Sequence, residues 1–421
     1  MLSTLSNVWA LLLGIMLLMV GNGLQGTLLG VRGELEGFST YEMSIVMSAY
    51  FVGFLGGSRM APEMIRRVGH VRVFAALASF ISAVLILYPT VANPWVWTLG
   101  RVVIGFCYSG VYVTSESWLN NAATNENRGK ALSMYMIVQM VGIVLAQALL
   151  LTADPSGYVL FVIPSVLVSI SFAPILLSIS PTPAFETDKP MSLREIMKTS
   201  PLGSVGMFLL GGVFASQFGM AAVYGGEAGL SLPEISIFVA AFYVGATILQ
   251  YPLGWLSDMM DRRVLIMLTS AAGGIGALLG MIMGGHFPLL LVSAFLIGGT
   301  SNPLYSLLIA YTNDFLEPED MAAAAGGLIF INGVGAVAGP LITGWLLGAF
   351  GPPGYFALIA VLLLALAGYA GYRMTQRATP DQDETGHYMP VMPSASPVAV
   401  EMAREYALES AEESDASATN T

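Results

Sequence analysis

Arg101 is the residue that most needs a purpose. It lies inside an apolar run that begins near Pro94 and ends near Leu119, about two turns or roughly 10 Å into a helix that rises 1.5 Å per residue. A charge so deep in an apolar segment is costly and usually functional. Residues at offsets of 4, 7, 11 and 14 from it are Gly105, Tyr108, Tyr112 and Ser115, which places a cation, two phenols and a hydroxyl on one helical face. Other apolar runs add neutral groups: Asn22 and Gln25, then Gln139, Gln217, Ser301, Asn302, Tyr305 and Asn332. Amides and phenols around one guanidinium suit a small organic anion, or a zwitterion whose carboxylate meets Arg101. Each group has a plainer reading as well. Asn and Gln side chains also bond neighbouring helices, Tyr108 and Tyr112 also fit as packing aromatics, and Arg101 also fits as a structural or proton-linked residue.

The elements that would hold these groups are membrane helices. Of the 421 residues 55% are hydrophobic and 10% charged, against roughly a quarter charged in soluble domains, which excludes an ordinary cytosolic enzyme. A bilayer span needs about 20 mostly apolar residues. Runs of that kind fall near 7–30, 44–64, 71–90, 95–119, 130–152, 157–179, 202–223, 234–256, 264–284, 288–311, 321–346 and 355–376, so the expected fold is an all-α polytopic membrane protein with twelve transmembrane helices. The first run reads as a retained helix, not a cleaved leader. The net charge of −11 comes largely from nine acids beyond Pro380 and points to no nucleic-acid partner.

Orientation follows from the basic residues, which favour cytoplasmic loops. With both termini inside, Arg59, Arg66, Arg67, Arg72, Arg128, Lys130, Lys189, Arg194, Lys198, Arg262, Arg263, Arg373, Arg377 and Arg404 are cytoplasmic and only Arg32 is outside. The polar, proline-bearing stretch around 183–200 divides the helices six and six. The expected organisation is an N-terminal bundle over 1–182, a cytoplasmic linker over 183–200, a C-terminal bundle over 201–377, and an acidic, disordered cytoplasmic tail over 378–421.

The two halves repeat. A shift of 192 lays Gly37–Ile45 on Gly229–Ile237 and continues through Ala49/Ala241, Val52/Val244 and Gly53/Gly245, with Gln25 on Gln217. A shift of 193 pairs Gly105/Gly298, Tyr112/Tyr305, Asn120/Asn313, Ala131/Ala324, Gln139/Asn332 and Gly142/Gly335. Parallel repeats with a site between them are an alternating-access architecture. Ser39-x-x-Glu42 and Ser231-x-x-Glu234 read as capping boxes that start the second and eighth helices. Glycines four apart, Gly53/Gly57 and Gly335/Gly339, read as close helix packing.

These features resemble the major facilitator superfamily, and within it the YcaD-like branch. Gly254-Trp255-Leu256-Ser257-Asp258-Met259-Met260-Asp261-Arg262-Arg263 is close to that superfamily's loop signature after the eighth helix. The counterpart Gly57-Ser58-Arg59-Met60-Ala61-Pro62-Glu63 has Ala61 where an aspartate is usual but keeps Arg66, Arg67 and Arg72. Arg101-x-x-x-Gly105 resembles the superfamily's fourth-helix element. Glu116-Ser117-Trp118-Leu119-Asn120, Asn127-Arg128-Gly129 and Gln139, Gly142 and Gln147 carry the branch cue. The resemblance implies two pseudo-symmetric six-helix bundles whose central helices line a cavity. Asn22, Gln25, Arg101, Tyr108, Tyr112, Gln139, Gln217, Asn302, Tyr305 and Asn332 would then bind substrate.

Glu116 lies about four turns beyond Arg101, near the cytoplasmic end, where it is placed to meet Arg66, Arg67 or Arg128. Such ion pairs can bias two arrangements of the halves. Asp258 with Arg262 and Arg263, and Asp314, would form the counterpart. The expected function is a secondary active transporter of a small organic solute, an anion or a zwitterion, working by rocker-switch alternating access as a monomer in an inner or plasma membrane. The alternative is an exporter of lipophilic or cationic compounds, for which 24 methionines supply a pliable lining; a membrane sensor or scaffold comes after both.

No enzyme activity, cofactor or metal is expected. Cys107 is the single cysteine, the histidines His70, His286 and His387 are scattered, and no nucleophile has a histidine in the bilayer to serve it. No phosphate loop is present to use ATP. No acid lies mid-helix in the first, fourth, seventh or tenth span, which leaves Glu116, Asp314 or Glu34 and Glu36 as carriers should a proton or cation be co-transported.

Overall fold

The protein is described by a computed structural model covering residues 2–122, 128–177, 191–317, 320–376, 388 and 390–403. The secondary structure there is helical throughout: α1 (Leu2–Leu35), α2 (Thr40–Val68), α3 (His70–Thr90), α4 (Pro94–Ala122), α5 (Arg128–Leu149), α6 (Val159–Ser171), α7 (Ala173–Leu177), α8 (Leu193–Thr199), α9 (Pro201–Phe214), a π-helical turn (Ala215–Gly219), α10 (Ala221–Glu227), α11 (Leu232–Ser257), α12 (Arg262–Met283), α13 (Phe287–Asn313), α14 (Met321–Phe350) and α15 (Pro353–Met374). Among the described residues eleven helical stretches are long and apolar enough to cross a membrane. The run read as a second span, 44–64, lies in α2, which is not among the eleven. The last turns of α2 carry Arg59, Glu63, Arg66 and Arg67, which lowers its apolarity without shortening it.

The capping boxes are where the sequence puts them. The Ser39 N–H donates to a Glu42 carboxylate oxygen at 2.8 Å and the Ser231 N–H does the same to Glu234, each relieving an orphan donor at a helix start. Just before them Gly37 and Gly229 take φ of 74° and 71°, a left-handed turn that glycine adopts at no steric cost.

α1 through α6 pack on one another, chiefly α2 on α4 and α1 on α5. α9 through α15 do likewise, chiefly α11 on α13 and α12 on α15. The repeat explains how the strongest seams form. A Cβ at Gly53 would stand 1.9 Å from the Val102 carbonyl oxygen, and one at Gly105 the same distance from that of Tyr50. Their repeat mates Gly245 and Gly298 would bring a Cβ to 2.1 Å from the Phe295 and Phe242 carbonyl oxygens. Backbone therefore touches backbone in both seams, as small residues permit in lipid. Gly53→Ala or Gly245→Ala must push two helices apart at a cost of about 1–3 kcal/mol. Each is expected to lower the melting temperature of the detergent-purified protein, whereas alanine at Gly348, where nothing lies within 4 Å of the added carbon, is expected to leave it unchanged.

The two groups of helices meet mainly through α2 and α14, α1 and α10, and α5 and α11. Hydrogen bonds cross between them at the end that carries Gly37 and Gly229, while α2 and α14 stay in contact further along, where the Arg59 guanidinium lies 4.3 Å from the Phe330 ring centroid. The Ser48 hydroxyl donates to the Val337 carbonyl oxygen at 2.6 Å, the Ser236 hydroxyl to that of Gln147 at 2.7 Å, and the Thr40 hydroxyl to the Glu227 carboxylate at 2.5 Å. That end is sealed.

The span 378–421 was expected to be disordered. Of it the structure describes 388 and 390–403, and these residues are packed between the two groups at the opposite end. Tyr388, Val391, Met392, Ala395, Ser396, Ala399, Val400, Met402 and Ala403 are all buried. The physical reason is local composition: this stretch holds one acid, Glu401, among apolar and small residues, while the acids that set the segment's average lie on either side. The linker 183–200 falls partly outside the described residues. Its end forms α8, opened by the Ser192/Glu195 capping box.

Candidate functional site

A cavity of about 200 Å³ lies between the two groups of helices. One wall is polar and built from α1, α2 and α4. Arg101, 3% exposed, donates from Nη1 to Gln25 Oε1 at 2.6 Å. Gln25 Nε2 donates to Asn22 Oδ1 at 3.3 Å, and Asn22 Nδ2 to the Tyr112 hydroxyl at 3.0 Å. The three-residue spacing of Asn22 and Gln25 along α1 and the eleven-residue spacing of Arg101 and Tyr112 along α4 bring all four groups to facing surfaces. The guanidinium also stands 4.7 Å from the Tyr50 ring centroid, a cation–π arrangement.

The electrostatics of this wall are unbalanced. Among the described residues no carboxylate lies within ion-pair distance of Arg101, and its Nε has no hydrogen-bond partner. A buried guanidinium held only by a neutral amide and a ring face remains attractive to an anion.

The opposite wall is aromatic and comes from α9, the π-helical turn, α11, α13 and α14. Phe214, Phe218 and Tyr243 line it with Asn302 and Asn332. Phe218 stacks on Tyr243 with centroids 4.8 Å apart. The extra residue of the π-helical turn is the kind of local irregularity that accompanies functional sites, and it sets Phe218 and Gly219 into the cavity wall.

Six of the ten residues expected to bind substrate line the cavity: Asn22, Gln25, Arg101, Tyr112, Asn302 and Asn332. The other four stand behind the wall. The Tyr108 hydroxyl donates to the Leu18 carbonyl oxygen at 3.2 Å, and Gln217 Oε1 accepts from the Ser301 hydroxyl at 2.9 Å. Tyr305 packs edge-on against Phe214, and Gln139 is buried in α5. Residues that the sequence reading passed over are Tyr50, Phe51, Phe54, Phe218 and Tyr243. A signal exists for three of them, Tyr50, Phe51 and Tyr243, because the 192-residue shift that aligns Ala49 with Ala241 also sets Tyr50 on Phe242 and Phe51 on Tyr243; under the same shift Phe54 falls on Ala246 and Phe218 on Gly26.

Of the charged groups expected to gate the cavity, the Glu116 cluster is arranged differently from the expectation, while Arg262 meets Asp258 and Asp314. Arg66 and Arg67 pair along their own helix with Glu63, at 2.5 and 2.6 Å, and do not reach Glu116. The i,i+3 and i,i+4 spacing gives them a nearer partner. The side chain of Arg128 lies outside the described residues. Glu116 accepts instead from the Tyr135 hydroxyl at 3.0 Å and from the Ser396 N–H at 2.7 Å. In the second group Arg262 bridges Asp258, at 3.8 Å, and Asp314, while Arg263 holds Asp261 at 2.7 Å. Arg262 thus ties α11, α12 and α13 together within one group of helices.

Comparison with known proteins agrees with this architecture. The model of the Major Facilitator Superfamily matches residues 11–232 and again 203–397. The chain is similar to the uncharacterized MFS-type transporter YcaD of Escherichia coli O45:K1 (strain S88), with 28% identity over 374 residues that cover 87% of this chain and 96% of YcaD. Among solved structures it is similar to a mutant of the nucleoside transporter NupG, with a TM-score of 0.73, 14% identity, and coverage of 86% of this chain and 99% of that one. It is also similar to a bacterial homolog of the human lysosomal transporter Spinster in an inward-facing, unoccupied conformation, with a TM-score of 0.65, 16% identity, and coverage of 95% and 96%. At these identities the two structures speak for the fold alone.

Proposed function

The chain belongs to the Major Facilitator Superfamily and is a multi-pass membrane transporter of YcaD-like sequence, and from this premise we propose that it is a secondary active transporter of a small organic anion or zwitterion. The observation that carries the substrate class is Arg101: a buried cation facing the cavity with no carboxylate beside it among the described residues. A substrate carboxylate would supply the missing charge, with Gln25, Asn22 and Tyr112 orienting it and Asn302 and Asn332 meeting polar groups on its far side. The stacked Phe218 and Tyr243 favour a substrate with an apolar or planar body.

Alternating access is the proposed mechanism. Halves over 1–182 and 201–377, joined by the 183–200 linker, rock about the cavity, so that the seal at Ser48, Thr40 and Ser236 opens as the other end closes. α2 is proposed to span the membrane with the eleven apolar stretches, which gives twelve helices with both termini on the cytoplasmic side of an inner or plasma membrane. The distribution of basic residues supports that orientation, and a single protomer holds the whole cavity. The aromatic wall supports one further reading, export of lipophilic compounds, in which Arg101 has a structural part only.

Thermal stabilisation separates the two, because a ligand that prefers the folded state raises the melting temperature. Detergent-purified protein is expected to be stabilised by carboxylates or amino acids carrying an apolar group, and not by lipophilic cations. Stabilisation by the cations alone would favour the exporter.

A further inference from the structure

The end of the molecule opposite the seal is filled by the chain's own residues 390–403 together with Tyr388. Asp258 at the end of α11 accepts the Tyr388 N–H at 2.8 Å, and Gln250 Nε2 donates to the Tyr388 hydroxyl at 2.7 Å. Ser306 of α13 holds Val391 by both backbone groups: its hydroxyl oxygen accepts the Val391 N–H at 2.9 Å, and its hydroxyl lies 3.2 Å from the Val391 carbonyl oxygen. From the other group of helices Glu116 takes the Ser396 N–H at 2.7 Å, and Leu132, Tyr135 and Met136 surround Val391, Met392, Ala395 and Ala399. Between these anchors Met392, Pro393 and Ser394 form part of the lining of the central cavity. The segment therefore carries backbone N–H groups to two carboxylates, one from each group of helices, and lies between them.

We propose that this vestibule is a peptide-binding site whose ligand is the chain's own segment 388–403, and that the bound segment is a plug which holds the transporter open toward that end. The proposal rests on the alternating-access reading. Closing this end requires α4 and α5 to approach α11 and α13, and buried residues between them block the approach until the segment leaves. Its backbone is held as a peptide ligand is held, through main-chain hydrogen bonds with small apolar side chains in the gaps. Tyr388 is buried there, and burial pushes its phenol well above its ordinary range. Binding of the segment favours one of two states, and its release allows the other.

The test uses the full chain with Cys107→Ala and a reporter cysteine, Ser48→Cys, inside the seal. Val391→Pro and Ser396→Pro together remove the two N–H donors that meet Ser306 and Glu116, within a stretch that already carries Pro390, Pro393 and Pro397. A membrane-impermeant maleimide should label Ser48→Cys slowly with the native tail and at least about threefold faster with the two prolines, as expected when a bound segment no longer biases the equilibrium. A synthetic peptide of sequence 388–403 added in excess should slow the labelling again, and a scrambled peptide should not. An unchanged melting temperature shows that the proline variant is folded. Equal labelling with and without the prolines, or no effect of the peptide, overturns the plug. Alternating access is judged separately by a cross-link at the other end, between Met47 and Gly219, which does not involve the tail.

Discussion

Replacing Arg101 with glutamine is expected to abolish recognition of anionic substrates while leaving the protein folded. The guanidinium is buried and, among the described residues, has one side-chain acceptor, Gln25, at 2.6 Å. In the empty protein its charge is poorly compensated, and removing it takes away a desolvation cost. In the loaded protein the same charge would meet a carboxylate out of water, and losing such a pair typically costs about 3 kcal/mol or more, roughly a hundredfold in affinity. The expected result is a melting temperature equal to or above that of the parent without ligand, and no ligand-dependent rise. Lysine at this position should rescue only in part, because it keeps the charge and loses the planar fork that grips a carboxylate at two points. Retained stabilisation by a carboxylate in Arg101→Gln would place the anion elsewhere and remove the argument for the substrate class.

Cross-linking the seal is expected to stop transport completely and reversibly. Met47 of α2 is buried, and a Cβ built on Gly219 stands 3.7 Å from the Met47 Cβ, inside the 3.5–4.5 Å range that a disulfide requires. In a Cys107→Ala background, Met47→Cys with Gly219→Cys would oxidise to a bond across the two groups of helices. If opening of this end is obligatory, proteoliposome uptake falls to background on oxidation and returns on reduction. Each single cysteine controls for damage, Gly219→Cys in particular because Gly219 lines the cavity. Full uptake through an oxidised pair would mean that the seal does not open during transport, and the rocking mechanism would be wrong whatever the tail does.

The legible and the illegible parts of this molecule differ in scale. Helix positions were readable because membrane spans announce themselves through long apolar runs, and the starts of α2 and α11 because a Ser-x-x-Glu box after a glycine has one physical use. The polar wall was readable because Arg101 and its stripe obey a helical period. The aromatic lining on either side was not, since Phe and Tyr in a membrane helix look the same whether they face lipid, core or cavity; only the repeat distinguishes Tyr50 and Phe51 on one wall and Tyr243 on the other. Glu116 illustrates a different failure. Its distance from the helix end was right, but one of its two partners is a backbone N–H some 280 residues away in sequence, and main-chain donors carry no sequence signature. The segment 388–403 was hidden by averaging, because acids on both sides masked a short apolar stretch.

The four glycines of the paired seams have a mechanical consequence. Side chains between two helices act as a compliant layer, since rotamers can turn and let the axes slide. Where the Gly53 and Gly105 backbones rest directly on the carbonyls of Val102 and Tyr50, and Gly245 and Gly298 on those of Phe295 and Phe242, there is no such layer to deform. Each seam is stiff, and force applied at one end of α2 or α11 is delivered at the other end instead of being absorbed on the way. The arms of the lever are rigid, and the bending is left to the connections between them.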